Sequence, residues 1–272
     1  MTRIVTIANE KGGIGKTTTA QQLAIGLQKK GFKVLIIDLD NQRNLSSCFG
    51  DTGQPIKRVF DLMNGEDIQN CIFKTQDNLF IIYGDNRMSQ AERIFVEVGS
   101  ESILDEQLEK IKNYFDYIVI DTPPRSNSTA VNNAFMSSDE VIIPMQANTF
   151  SIEGLQKILD QFQKIKKQKE RQGKSIEVLG ILLTMHEDRT LFRRGITKQM
   201  EDLSKNINIP LFETTIRRAI AIEEAQAIKT NIFDYQPKSN ITKDYTKFVD
   251  EFIKKDKELQ MKNNQSQEIK SN

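Results

Sequence analysis

The sequence predicts a doubly wound α/β fold, in which a mostly parallel β-sheet is flanked by helices. Short runs of β-branched and aliphatic residues recur along the chain, amphipathic stretches at helical spacing separate them, and several runs end at an aspartate or a proline. Continuous apolar runs of this kind are typical of parallel strands that are buried on both faces. With 272 residues the chain is long enough to bury a large core without disulfides.

The first predicted strand, residues 4–8, leads directly into a glycine-rich turn. Apolar residues at helical spacing then run from Ala20 to Leu27, and Gly31 ends this helix. With the strand at 34–37 they form a strand–turn–helix–strand unit, which requires a right-handed crossover in a parallel sheet. Further strands are predicted at 79–82, 117–120, 141–143 and 178–183, with a short or edge strand at 209–212, and further helices around 104–111, 155–165 and 245–253.

Composition and linker patterns limit the domain organisation and the classes of partner. No Pro-, Gly- or Ser-rich linker divides the chain, so residues 1–253 are expected to form a single domain. Residues 254–272 are polar and lack aromatic side chains, which predicts a frayed or disordered tail. Because 38 Lys and Arg balance 37 Asp and Glu, nucleic-acid binding would need a local basic patch. One histidine excludes a zinc site with two His ligands, and no apolar run suits a membrane span, so a cytoplasmic protein is expected.

A phosphate-binding loop is predicted between the first strand and the first helix, in the segment KGGIGKTT at 11–18. Its glycines let backbone N–H groups turn toward phosphate oxygens, and the helix that follows adds its own N–H groups and the positive end of its dipole. Lys16 is placed to reach the β- and γ-phosphates, and the Thr17 hydroxyl to bind Mg²⁺. The usual GxxxxGK[ST] pattern fails at Glu10, which leaves a variant form with a second lysine. The predicted nucleotide contacts of the loop are Lys11, Gly12, Gly13, Ile14, Gly15, Lys16, Thr17 and Thr18.

Two aspartates stand at the ends of buried apolar strands. Asp38 and Asp121 each follow such a run directly. An acidic side chain in that position is unfavourable unless it meets a cation, and Mg²⁺ with its water ligands is a suitable partner. Thr17, Asp38 and Asp121 are therefore the candidate metal-site residues. The alternative for Asp121 is a cap on the turn formed by residues 122–124.

These motifs resemble the ParA/MinD family of deviant-Walker P-loop ATPases, and within it the ParA-type plasmid and chromosome partition proteins. The matching blocks, in order, are KGGIGKTTTAQQLA (11–24), VLIIDLDNQRNLS (34–46), YIVIDTPP (117–124), GILLTMHEDRT (180–190) and the segment 216–225, which carries IRR and EEA. The chain departs from the family pattern at Glu10, which replaces a glutamine, and at Asn41, which replaces a proline. Arg217 and Ala219 stand where many relatives have proline and asparagine.

The resemblance implies an ATPase that uses ATP and Mg²⁺ and that closes as an ATP-bound homodimer. Its predicted catalytic residues are Lys11, Lys16 and Asp40. The resemblance places Lys11 against the nucleotide of the other subunit and gives Asp40 the role of orienting the attacking water. It also places Met185 and Arg217 near the adenine. From the residues alone, Asp40 has the alternative role of shaping its turn.

The resemblance further implies that the ATP-bound dimer binds DNA without sequence preference, through contacts to phosphates. A ParB-type centromere-binding protein would stimulate hydrolysis and release the ATPase, which would place the protein on the nucleoid. Arg218 matches a family arginine assigned to DNA contact, and Arg189, Arg193 and Arg194 form a local basic cluster. No membrane partner is expected.

Three alternatives within the same superfamily remain open at this point. A MinD-like ATPase at a membrane surface would need an amphipathic helix with bulky apolar residues at its extreme end. An ATP-dependent ligase would need a pocket for a small molecule. An iron–sulfur reductase would need cluster thiolates, and neither Cys48 nor Cys71 lies at a suitable position.

Overall fold

The computed structural model of the protein describes residues 2–51, 56–146, 152–186 and 191–271, without side-chain detail for 152, 191–197, 199, 264 and 266–271. The strands are β1 (Arg3–Ile7), β2 (Val34–Asp38), β3 (Phe73–Gln76), β4 (Leu79–Ile82), β5 (Tyr117–Asp121), β6 (Glu140–Gln146) and β7 (Glu177–Thr184). The helices are α1 (Lys16–Lys29), α2 (Asn44–Cys48), α3 (Val59–Met63), α4 (Ile68–Cys71), α5 (Ala91–Ile94), α6 (Ile103–Glu109), α7 (Thr129–Ser137), α8 (Ile152–Arg171), α9 (Leu191–Ile207), α10 (Ile220–Ala227), α11 (Ile232–Tyr235) and α12 (Asn240–Ser271).

One sheet organises the described part of the chain. Its strands lie in the order β3-β4-β2-β5-β1-β6-β7. Neighbouring strands are parallel except β3 and β4, which pair in antiparallel fashion. This arrangement confirms the fold class that the sequence predicts.

Both faces of the sheet are covered, which explains why the strands are apolar without alternation. In β2, Val34 and Ile36 belong to the core that includes α1 and α12, whereas Leu35 and Ile37 belong to the core with α3 and α6 on the other face. Successive side chains of a strand point to opposite faces, so a strand between two helical layers needs apolar residues at every position. A third core packs α7 and α8 against β6 and β7.

The predicted strand at 209–212 is wrong. This segment forms a single bridge between Leu211 and Ile181 on the edge strand β7. The N–H of Phe212 donates to the carbonyl of Ile181, while Pro210 has no N–H and contributes only its carbonyl. The antiparallel strand β3 and the helix α7 were not expected from the sequence.

The last helix extends further than the sequence predicts. Helix α12 continues to Ser271, so residues 254–271 are helical where the sequence predicts a frayed or disordered tail. Asp256, which lies in that segment, is fully buried. Its carboxylate accepts hydrogen bonds from Arg3 Nε at 2.7 Å and from the Tyr117 hydroxyl at 2.8 Å. These partners on β1 and β5 fix the helix to the sheet, while the boundary of the single domain stays a prediction.

Candidate functional site

The loop between β1 and α1 forms the centre of the site. Gly13 and Gly15 have φ values of 71° and 86°, in the left-handed region that favours glycine. Gly15 caps α1 without a side-chain hydrogen bond, which leaves the first N–H groups of the helix to a ligand. The side chain of Ile14 is buried, and its carbonyl accepts a hydrogen bond from Thr184 Oγ1 at 2.8 Å. The loop is therefore anchored to the end of β7.

The two lysines of the loop have different environments. Lys16 is buried, and its Nζ donates to the carbonyl oxygen of Lys11 at 2.8 Å. Burial lowers the pKa of Lys16, and the charges of Asp121 and Asp40 oppose this effect. Lys11 is exposed, and its backbone N–H donates to Asn9 Oδ1 at 3.1 Å. The Lys16 ammonium thus lies inside the loop, and the Lys11 side chain lies on its surface.

Asp38 and Asp121 lie next to each other at the carboxyl edge of the sheet, as paired residues of β2 and β5. Both are fully buried. The Asp38 carboxylate accepts hydrogen bonds from Asp40 N at 3.0 Å, Ser46 N at 2.9 Å and Ser46 Oγ at 2.7 Å. Burial raises the pKa of Asp38 to about 6, although the hydrogen bonds from Ser46 lower it. Asp38 is therefore a fixed carboxylate whose contacts are largely made by the protein itself.

Gly84 is the residue that makes room for Asp38. A Cβ at this position would lie 2.8 Å from Asp38 Cγ and 2.9 Å from its Oδ2. The Gly84 N–H also donates to Ser46 Oγ at 2.8 Å. Sequence reasoning did not single out either residue. Ser46 lies at the end of the matching block 34–46, whereas no motif pointed to Gly84.

Asp121 is a buried carboxylate that lacks hydrogen-bond partners within the described part of the chain. Neither of its carboxylate oxygens has a hydrogen-bond partner of ordinary geometry in the described part of the chain. The capping alternative therefore has no support, because the carboxylate accepts nothing from residues 122–124. Burial and the charge of Asp38 raise the pKa of Asp121 well above its usual value, while the Thr17 hydroxyl and Lys16 favour the ionised form.

This arrangement fits a magnesium ion that arrives with phosphates. A buried carboxylate beside a threonine hydroxyl supplies the oxygen ligands that Mg²⁺ prefers, so Thr17 and Asp121 would hold it, and Asp38 would lie in its outer shell. Among the described residues, no group of three or more His, Cys, Asp or Glu side chains could hold a metal ion by itself. The remaining ligands would have to come from a bound nucleotide and from water.

A groove of two adjoining cavities runs along this loop. The larger cavity has a volume of about 610 Å³ and is lined by Gly12, Gly13, Gly15, Lys16, Thr17, Thr18, Asp40, Gln42, Asn44, Ser47, Cys48, Pro124, Met185, Gln226, Ala227 and Lys229. The smaller cavity, of about 360 Å³, is lined by Gly13, Gly15, Thr18, Gln146, Thr184, Met185, Ile216, Arg217, Arg218, Ala219, Ile222, Glu223, Gln226 and Tyr245. Because the two share five lining residues, they form one continuous binding groove.

The structure brings most of the predicted residues to this groove, with two exceptions in the loop. Lys11 lies on the surface and Ile14 is packed inside, so neither lines it. Met185 lines both cavities. Arg217 lines the smaller one, but its Nε and Nη2 donate to Asp244 on α12 at 2.5 and 2.9 Å. Arg217 therefore forms part of the wall, held by an ion pair.

Asp40 has features of both roles considered for it. Its Oδ1 accepts a hydrogen bond from Gln42 N at 2.9 Å, which is the turn-forming contact. It also lines the larger cavity, together with Lys16 and Thr17. The turn holds the carboxylate at the wall of the cavity, so the two interpretations are compatible.

The predicted DNA-contact residues are only partly described. Arg218 is exposed, lines the smaller cavity and has no side-chain ion pair with the described residues. Arg189 lies outside the described residues. Arg193 and Arg194 lie on α9, but their side chains are outside the described part of the chain.

Helix α10 contributes residues that sequence reasoning missed. Gln226 Nε2 donates to Thr18 Oγ1 at 3.1 Å, which ties α10 to the first turn of α1. Lys229, just beyond the helix, lines the larger cavity. The segment 216–225 had indicated this region, but its motif ends before both residues.

A strand–loop–helix unit with a buried loop lysine, and an unpartnered strand-end aspartate beside it, define the class: this is a P-loop nucleotide-binding protein. The AAA_31 family, described as an AAA domain, matches residues 2–176. The sporulation initiation inhibitor protein Soj of Bacillus subtilis is 33% identical over 88% of this chain and 93% of its own length. The chromosome partitioning protein ParA of Caulobacter vibrioides is 30% identical over 96% and 97%.

Solved structures agree with these relatives. A putative plasmid partition protein of Borrelia burgdorferi, bound to AMPPNP, superposes with a TM-score of 0.75 and 27% identity, over 94% of this chain and 100% of that one. Cobyrinic acid a,c-diamide synthase of Mycobacterium smegmatis, with ADP and magnesium, gives 0.77 and 25%, over 92% and 93%. The chain belongs to the ParA/MinD family and is a ParA/Soj-type ATPase. The cofactors expected from the sequence, ATP and Mg²⁺, are confirmed by these homologous complexes.

Proposed function

We propose that this ParA-type ATPase acts in DNA partition. Two ATP-bound subunits form a homodimer that binds DNA without sequence preference. A ParB-type centromere-binding protein stimulates hydrolysis, which releases the ATPase from DNA and drives segregation of the bound cargo. The relatives named for chromosome and plasmid partition support this function.

The observation that carries the dimer is the contrast between the two lysines of one loop. Lys16 is buried and lines the cavity of its own subunit, whereas Lys11 of the same loop is exposed. The carbonyl of Lys11 is held by Lys16 Nζ, so the direction of the loop is fixed at this residue. An exposed ammonium group at this position is accessible to the phosphates of a nucleotide bound in a second subunit.

The chain's own residues then divide the chemistry. When bound, Mg²⁺ withdraws charge from the phosphate oxygens and orients the triphosphate. Lys16 neutralises phosphate charge within its own subunit, and Asp40 orients the attacking water from the cavity wall. The partner subunit's Lys11 neutralises charge on the transferring phosphoryl group, the role that arginine fingers have in other nucleotide hydrolases. Each subunit alone would lack that last cation.

The smaller cavity suits the base of the nucleotide. Ile216, Ile222 and Tyr245 give it apolar surface, and Met185 lies where the two cavities join. Flat apolar walls with a few polar groups are typical of sites for adenine-sized ligands. Arg217, which is held by Asp244, also lines this cavity.

Among the described residues, Arg218 is the best candidate for DNA contact. It is exposed at the same edge as the nucleotide groove, which would make DNA binding sensitive to the bound nucleotide. Six basic residues also lie between Lys164 and Lys174, most of them on α8. They are weaker candidates, because Lys169 is buried and Lys166 pairs with Glu177 at 2.6 Å.

Co-sedimentation with DNA in the presence of ATP, ADP or no nucleotide tests the proposal. We expect retention with ATP and magnesium only, and retention that falls as salt is raised. Equal retention in all three conditions would separate DNA binding from the nucleotide and contradict the proposal.

The dimer is tested with two variants and a control. Asp40→Ala, saturated with ATP and magnesium, should sediment as a dimer, because it retains the nucleotide without turnover. Lys11→Ala should bind ATP but lose partner-stimulated hydrolysis. Lys57→Ala removes an exposed lysine that pairs with Glu66 and lines neither cavity of the groove, and it should behave as the wild type. Wild-type turnover by Lys11→Ala would disprove the role in trans.

The apolar face of α12, which a MinD-like ATPase would use to contact a membrane, is packed in the core. Phe248 and Phe252 of α12 are fully buried in the core, and Ile253 is half-buried against it. None of the described helices is both long enough and apolar enough to cross a membrane. Flotation with anionic vesicles and ATP would detect a membrane-surface role.

A small-molecule ligase is the second candidate, because the superposition on cobyrinic acid a,c-diamide synthase is as good as that on the partition proteins. Sequence relatives at 30% and 31% identity are named for chromosome partitioning, which favours DNA as the target. ATP turnover that depends on a carboxylic acid and an amine donor, and not on DNA or a partner protein, would support the ligase.

A further inference from the structure

Unusual backbone conformations gather around the groove. In the described part of the chain, the non-glycine residues with positive φ are Arg43, Asn78, Asn113, Met185, Asn208 and Lys229. Asparagine adopts this conformation comparatively easily, whereas long side chains rarely do. None of the three asparagines lines the larger cavity. Met185 and Lys229 do line it, and Arg43 lies between two residues that line it.

Of these three long side chains, that of Arg43 has an identified ion-pair partner. The Arg43 guanidinium lies 3.8 Å from the buried carboxylate of Asp51. Met185 lines both cavities where they join. Lys229 has φ 56°, is exposed, and makes no side-chain hydrogen bond or ion pair with the described residues. Glycine or asparagine would suit its backbone better, so the fold gives no reason for a lysine here.

The position of Lys229 supplies a reason. Its backbone N–H donates to the carbonyl of Gln226 at 3.0 Å, and the Gln226 side chain donates to Thr18 Oγ1 at 3.1 Å. Two hydrogen bonds therefore connect Lys229 to the first turn of α1, where phosphate is expected. The residue lines the same cavity as Lys16 and Thr17.

We propose that Lys229 is a further nucleotide-binding residue, whose ammonium group contacts the phosphate chain of the bound nucleoside triphosphate from the α10 side of the cavity. This inference rests on the proposed nucleotide site. A phosphate chain carries several negative charges, and Lys16 alone faces it from within the loop. An ammonium supplied from the end of α10 would hold the phosphate chain between α1 and α10.

Binding of ATP, ADP and adenosine, measured with magnesium by calorimetry or by competition with a fluorescent nucleotide, tests the role. Lys229→Gly and Lys229→Asn remove the charge and suit the positive φ, so the apoprotein should unfold at a temperature no lower than wild type. Both should bind ATP about three- to tenfold more weakly, since a charged hydrogen bond is lost. Lys229→Arg should stay within about twofold of wild type, because it keeps the charge. Adenosine binding should change by less than about twofold in all variants, because adenosine has no phosphate.

A matched control tests whether a glycine at a positive-φ helix end changes binding by itself. Asn208→Gly makes a similar change at an exposed positive-φ turn after α9, and it should leave every affinity unchanged. Wild-type ATP affinity in both Lys229→Gly and Lys229→Asn would overturn the inference, as would an equal loss for adenosine and ATP. Failure of the wild-type protein to bind ATP would instead disprove the nucleotide site itself.

Discussion

Replacing Gly84 by alanine adds one methyl group at the most crowded point of the site. The new Cβ would lie 2.8 Å from Asp38 Cγ and 2.9 and 3.2 Å from its two oxygens. The carboxylate cannot move aside without loss, because three hydrogen bonds from Asp40 and Ser46 hold it. The backbone of Gly84 is itself fixed by its bond to Ser46 Oγ. One of these contacts must break or lengthen.

The size of the effect follows from these contacts. Overpacking a tight interior costs about 1–3 kcal/mol. Loss of one hydrogen bond to a charged group adds about 1.5–3 kcal/mol. We expect a total near 4 kcal/mol, which lowers the melting temperature by roughly 8–16 °C for a domain of this size. Because Asp40 N bonds to Asp38, the same displacement moves Asp40 at the cavity wall, so hydrolysis should fall more than ATP affinity.

Thermal unfolding and single-turnover hydrolysis measure the two effects separately. Ser46→Ala is the companion variant, since it removes the hydrogen bond from Ser46 Oγ to Asp38 and the acceptor of the Gly84 N–H without adding volume, and it should give a smaller loss of stability. Asn86→Ala, at an exposed position two residues further along, is the control that should change neither property. If Gly84→Ala melts and turns over ATP as the wild type does, the close packing around Asp38 has no role in the site.

Three further predictions concern separate groups. Burial raises the pKa of Glu140 to about 9. The folded protein therefore keeps a proton that the unfolded chain loses above about pH 4.5. The free energy of unfolding should fall as pH rises from about 4.5 toward 9. In the wild type, the free energy of unfolding should fall between pH 7 and 9 by at most about 1.4 kcal/mol per pH unit, and in Glu140→Gln this fall should be absent. Denaturant unfolding at pH 7 and pH 9 measures the difference. Lys16→Ala should abolish ATP binding in a calorimetric titration, and retained binding would remove Lys16 from the site. Arg218→Glu should weaken DNA retention at low salt by more than it weakens ATP binding, and equal retention by Arg218→Glu and Lys57→Glu would exclude Arg218.

Local sequence patterns were sufficient for the parallel core of the fold. Strands β1, β2, β4, β5, β6 and β7 were each predicted within about three residues of their bounds, because burial on both faces requires uninterrupted apolar runs. The antiparallel edge strand β3, with sequence FKTQ, was missed, because half of its residues face solvent and its apolar content is low. The extension of α12 was missed for another reason. The buried Asp256 that fixes it reads as an ordinary polar residue until its distant partner Arg3 is known.

The candidate site was likewise only partly predictable from local sequence. The loop and the strand-end aspartates were predictable, since each depends on residues that adjoin in sequence. Gly84, Ser46 and Gln226 were not, because their contacts join segments far apart in the chain, and the proposed role of Lys229 depends on the cavity that these segments form. Positive φ at Lys229 is likewise a property of the folded backbone, and lysine itself carries no signal for it.

The site carries buried charges that are complementary to a magnesium–nucleotide complex and to neither component alone. Burial disfavours the charged forms of Lys16, Asp38 and Asp121 together. Phosphate favours the charged Lys16 but opposes the ionised aspartates, whereas a divalent cation has the opposite preferences. Only both ligands together favour all three charged groups. ATP with magnesium should therefore raise the melting temperature by more than the sum of the shifts that each gives separately, measured at saturating concentrations of each. If the two melting-temperature shifts simply add, Asp121 and Lys16 do not interact with the same magnesium–nucleotide complex.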